Sequence, residues 1–195
     1  MKRLLLAITL ILGGCATTKP NYFVETIQDN VDNQTIYRAQ DNKIGYPDGT
    51  NCRAPKCDIT FGTERDDCAF QIGIQKAIDK GTTRYKLIVN YENTDWFFID
   101  EGETLIMKID GKRIAFSGSG SGNNRKVLKA GELGLEHAAV HETAFYPIEL
   151  KTLKKLATAS DVQVKLVGQN SFAQRCLTPD NIAFFARFIA EMENK

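Results

Sequence analysis

The chain has 195 residues, of which 43% are hydrophobic and 25% charged, with a formal net charge of +1. That composition can bury a sizeable core, and it excludes a disordered, collagen-like or disulfide-only miniprotein. A charge this close to zero also argues against a general nucleic-acid binder, which carries a strong basic excess.

Met1-Lys2-Arg3 opens the sequence, Leu4 to Leu12 form a short apolar run, and Gly13-Gly14-Cys15 follow. Two positive charges, an apolar stretch and small residues describe a secretory signal peptide. The run is shorter than the about 20 residues that span a bilayer, and no later window is apolar enough. Leu12-Gly13-Gly14-Cys15 resembles the lipobox of bacterial lipoproteins, although Gly13 stands where Ala or Ser is more usual. The resemblance covers residues 1–16. It implies that the Cys15 sulfur carries a diacylglycerol, that the chain is cut before Cys15, and that the new amino terminus is acylated. It also implies, from Ala16 in place of Asp, sorting to the outer membrane. The competing reading is a plain signal peptide with an incidental cysteine. A buried acyl methylene contributes about 0.8 kcal/mol, so several chains on one residue hold effectively permanently. Removing Lys2 and Arg3 takes the basic side chains from 25 to 23 against 24 acidic, net −1. Such a balance gives no bulk attraction to anionic lipid or nucleic acid.

Residues 15–35 read as a polar, flexible tether, and 36–195 as a single domain. Turn formers crowd 41–67, together with Cys52 and Cys57, and Cys68 lies just beyond. Four cysteines, Cys52, Cys57, Cys68 and Cys176, remain in the exported part, where the compartment is oxidising, so an even count favours disulfides. Three pairings are open, and each full pairing staples Cys176 to the early segment. The Cys-x4-Cys and Cys-x10-Cys spacings do not repeat a zinc pattern.

Residues 66–81 read as a helix, with Phe70, Ile74, Ala77 and Ile78 on one stripe and Gly81 closing it. Residues 85–91 are β-rich, and 95–99 are apolar on both faces, as in a central strand. Around Asp110-Gly111, alternating segments predict a hairpin, so 85–117 reads as an antiparallel meander. The Ser-Gly run 117–124 reads as a flexible loop. His137–Ile148 alternates as a strand, Glu149–Ser160 is a short helix with Leu150, Leu153, Leu156 and Ala157 inward, and 161–167 and 172–177 are strands. Thr178-Pro179-Asp180 gives a cap, a proline and an acid that open a last helix, whose stripe is Ile182, Phe185, Phe188, Ile189 and Met192. The expected fold is α+β, a mainly antiparallel sheet packed by two or three helices.

No catalytic residue, metal site or cofactor is predicted. The glycines at 118, 120 and 122 put glycine, not serine, at the centre of a would-be nucleophile elbow. His137 and His141 are flanked by Glu136 and Glu142 but lack the zinc-protease order, and on a strand they lie about 13 Å apart. Asp95, Asp100, Glu101 and Glu103 cluster near strand ends without showing two acids across a cleft. Lys108, Lys112, Arg113, Arg125, Lys126 and Lys129 precede an acidic segment, Glu132 to Glu149, and the two can pair as neighbouring strands or form a basic hairpin for an anionic partner. Trp96 reads as core, with a sugar-stacking platform as the alternative. The expected role is a membrane-anchored lipoprotein binding an envelope protein or polysaccharide, with no nucleic acid. An envelope hydrolase and an inhibitor of a lytic enzyme are the alternatives.

Overall fold

A computed structural model describes residues 22–44, 70–93, 96–129, 136–169, 172–193 and 195. The described chain is mostly antiparallel β-sheet with two helices. It is richer in strand than the expected α+β arrangement with two or three packing helices.

The larger sheet contains β1 (Val24–Asp29), β2 (Gln34–Ala39), β3 (Lys43–Ile44), β4 (Phe70–Asp79), β5 (Thr82–Asn93), β8 (Ser121–Lys129) and β9 (Glu136–Ile148), in the spatial order β1-β2-β4-β5-β9-β8. β3 continues β2 along the same neighbour, β4. The smaller sheet runs β11 (Phe172–Cys176), β10 (Val162–Val167), β6 (Glu101–Ile109), β7 (Lys112–Ser119). α1 (Leu150–Ala157) joins β9 to β10, and α2 (Pro179–Met192) ends the chain.

The expected helix over 66–81 is instead β4, from Phe70 onward. Phe70, Ile72 and Ile74 take the inner face at period two and are fully buried. The other face is covered too, at Gly73, Gln75 and Ala77, so the polar–apolar alternation that marks a half-buried strand is lost. Lys80 and Gly81, both with positive φ, make the turn into β5 instead of ending a helix. Gly73 is required where it stands: a Cβ there would sit 2.6 Å from the Ala39 carbonyl oxygen, because residues 40–42 bulge over it between β2 and β3.

Further expectations are corrected. The Ser-Gly run 117–124 is not a loop, since only Gly120 interrupts β7 and β8. Gly120, at φ +81, is the corner where the chain leaves the smaller sheet for the larger one. Of the segment 95–99 read as a central strand, residues 96–99 form instead an irregular crossing from β5 to β6, and because β5 and β6 lie in different sheets, 85–117 is not one meander. In the range expected as tether, residues 24–29 form β1 and residues 34–35 open β2, while 15–21 lie outside the described residues.

The hairpin at Asp110-Gly111, the strand expected over 137–148, both carboxyl-terminal strands and both carboxyl-terminal helices stand as expected. Leu150 differs from its expected inward position: at the first turn of α1 it is exposed. α2 begins with a complete capping box, Thr178 Oγ1 accepting from the Asn181 amide and the Asn181 side chain accepting from the Thr178 amide. Its Phe184, Phe185 and Phe188 are buried in a core shared with both sheets. Burial of each such ring stabilises by about 1.5–3 kcal/mol. The Lys76 ammonium, on the inner face of β4, donates to the Met192 carbonyl at the end of α2 (3.0 Å), where the helix dipole favours a cation.

Candidate functional site

The most distinctive chemistry lies where the chain crosses between the sheets. Glu142 sits on β9 in the same register as Val140, Ala144, Tyr146 and Ile148, and it is fully buried. A carboxylate in that position needs several donors, and the crossing supplies them. Glu142 Oε1 accepts from the amides of Phe97 (2.5 Å) and Phe98 (2.8 Å). Oε2 accepts from the Ile99 amide (2.9 Å) and the Ser121 hydroxyl (2.9 Å). Three consecutive amides converge on one anion because Phe98 takes a left-handed conformation, φ +54, the geometry of a backbone anion nest.

Two carbonyls of the crossing are paired as well. The Gln169 amide donates to the Phe98 oxygen (2.9 Å), and the Ser121 amide donates to the Ile99 oxygen (2.9 Å). Phe97 and Ile99 point into the core, with the Phe97 ring 4.9 Å from that of Tyr91. Gly168 is tight against this turn: a Cβ there would lie 2.2 Å from the Phe97 oxygen.

Trp96 and Phe98 take the opposite side. Trp96 is not the core residue expected: it is half-buried, and its ring stacks on that of Phe98 at 5.7 Å and 23°. Phe98 is 41% exposed. Asp100, Glu101 and Glu103 are exposed beside the crossing, and Asp95 lies outside the described residues. Glu101 and Glu103 stand on one strand, not on two walls of a cleft.

The remaining candidates are scattered. His141 faces Glu92 across β9 and β5, with Nε2 3.5 Å from the carboxylate. His137 lies four residues away on β9, opposite Leu128 of β8. Among the described residues no three His, Cys, Asp or Glu groups come together around a metal position. The basic run divides between the sheets: Lys108, Lys112 and Arg113 lie on β6 and β7, and Arg125, Lys126 and Lys129 on β8. Lys108 and Arg113 are directly opposite each other, a cross-strand like-charge pair. The basic and acidic segments do pair as strands, β8 with β9, bringing Lys129 opposite Glu136. Cys176 is buried at the end of β11, while Cys15, Cys52, Cys57 and Cys68 lie outside the described residues. No helix among the described residues is long and apolar enough to cross a membrane.

Glu142 is the residue that sequence reading missed. It was visible as an acid standing at an inward position of an otherwise apolar alternation. Comparison with known proteins finds no family model, no curated protein and no solved structure that matches the chain.

Proposed function

We propose that this chain is a bacterial envelope lipoprotein, anchored through Cys15 to the outer membrane, whose domain works by binding an envelope polysaccharide or protein. The observation that carries the anchor is the order of charge, apolar run, Gly13-Gly14 and Cys15. What favours binding over catalysis is the use made of Glu142. Its two oxygens accept four hydrogen bonds that hold the chain's own crossing in place, the use of a structural and not a reacting acid. A hydrolase has one observation in its favour, the His141–Glu92 contact at 3.5 Å.

Mass spectrometry of the chain extracted from membranes tests the anchor. A chain beginning at Cys15 with diacylglycerol on its sulfur and an acylated amino group is the expected product, and Cys15→Ser should release the domain from membranes. An unmodified thiol on a chain retaining Met1 would overturn the reading.

A further inference from the structure

We propose that Phe23 is a second contact with the bilayer, resting at headgroup depth beside the acylated Cys15. The proposal rests on the anchor reading and adds to it the way the domain stands on the membrane. Phe23 is 52% exposed, the most exposed aromatic ring among the described residues. An exposed ring alone is ordinary; the place of this one is not. Its neighbours on both sides go inward. The Tyr22 ring meets that of Phe184 edge to face at 5.3 Å, and its hydroxyl donates to Glu191 Oε2 of α2 (3.1 Å). Val24 opens β1 opposite Ala39 and packs on the core. Between them Phe23 is turned to solvent from a backbone fixed at both ends.

The length of chain before this point decides what lies opposite the ring. Residues 16–21 separate Cys15 from Tyr22, so even fully extended the two Cα atoms lie at most about 25 Å apart. The domain that follows is about 40 Å across. A connection shorter than the domain is wide keeps the Tyr22 end turned toward the layer that holds the acyl chains. Phe23 is the apolar group at that end, and aromatic rings are favoured at the level of the headgroups. The charge nearby agrees. Arg187 of α2 is exposed, close enough for its charge to be felt at the Tyr22 hydroxyl, and it enters no ion pair among the described residues. It can meet a lipid phosphate. Glu191 is already taken by Lys195 (2.8 Å) and by Tyr22. Glu25, exposed on β1, keeps the contact shallow.

The test uses the lipidated full chain in phosphatidylcholine–phosphatidylglycerol vesicles with brominated acyl chains, which quench a tryptophan that touches them. Trp96 is the one tryptophan in the chain, so Trp96→Phe clears the background. A single probe is then placed by Phe23→Trp or, as control, by Val31→Trp. Val31 is 93% exposed in the β1–β2 turn, about 20 Å away along β1. Emission at position 23 should fall at least about twofold against unbrominated vesicles, with little change at position 31. Hydroxyl-radical labelling of the unsubstituted chain reads the same contact without a probe. Phe23 should be labelled several-fold more slowly on vesicles than in the soluble Cys15→Ser chain, and Val31 equally in both. No quenching at position 23, equal quenching at both positions, or Phe23 labelled as fast on vesicles as in solution overturns the proposal. Mass spectrometry of the same preparation separates the two failures. A lipidated Cys15 with an unquenched probe sinks only the second contact, whereas an unmodified Cys15 sinks the anchor and the contact with it.

Discussion

The carboxyl-terminal helix and the 96–100 crossing are held by opposite kinds of information. α2 is specified by its neighbours in sequence. Thr178 and Asn181 cap each other across three residues, Pro179 fits the first turn, and the apolar stripe recurs at helical spacing. The crossing has no period and no cap of its own. Its shape is set by Glu142, more than forty residues away on β9, and by Gln169 and Ser121. A segment held this way can keep a conformation that no local preference would choose, and Phe98 keeps one.

The contrast predicts unequal costs when single groups are removed. Glu142→Ala strands three amides that the fold has already taken out of water, and should cost about 3–5 kcal/mol. Glu142→Gln keeps one acceptor but turns an NH2 group toward donors, so it should fall between Ala and wild type. Chemical denaturation gives both values. An alanine variant as stable as wild type would mean that the crossing finds other acceptors. Gly168→Ala comes next, at about 1–3 kcal/mol, since its Cβ would meet the Phe97 carbonyl, which is backbone and cannot swing aside. Gly122→Ala is the control, because nothing lies within 4 Å of a Cβ built there.

Legibility followed the same division. Strands with one wet face, the Asp110-Gly111 turn and both helices were readable because each carries its own periodic pattern or turn chemistry. β4 was not, because both its faces are covered in the middle of the larger sheet, and a stripe of four apolar residues then fits a helix equally well. The Ser-Gly run looked like a loop because its residues have low strand propensity, yet pairing to β6 and β9 overrides that preference. Trp96 looked buried because Phe97, Phe98 and Ile99 surround it in sequence. Two of those three do go inside, but the left-handed turn at Phe98 sends the other rings out. Glu142 reads in the sequence as a neighbour of the histidines, although its place in the strand already puts it inward.

A local cap should be cheaper to lose than a distant clamp. Thr178→Ala removes one side of the capping box and should cost about 1 kcal/mol, read as a small drop in denaturation midpoint with the slope unchanged. A loss as large as that of Glu142→Ala would erase the distinction between the two regions.

Tyr146 tests the seam between the sheets with the smallest expected effect. Its hydroxyl meets Thr104 Oγ1 of β6 at 2.8 Å. Tyr146→Phe should cost about 0.5–1.5 kcal/mol at neutral pH, toward the low end because Thr104 Oγ1 also lies within donating distance of the Asp100 carbonyl. Burial raises the phenol above its ordinary value of 10.0, with the Thr104 hydrogen bond opposing. The folded state thus holds the proton more tightly than the unfolded state. Its stabilisation is complete below pH 10 and is lost as pH rises from there through the folded value. Tyr22, raised by burial and by its hydrogen bond to Glu191, and Tyr85, raised by burial, add slopes of the same sign. Tyr146→Phe should therefore flatten, without abolishing, the fall in stability above pH 10. An unchanged alkaline slope would mean that the phenol ionises inside the fold as readily as outside it, and that this seam between the sheets is open to water in a way the buried crossing is not.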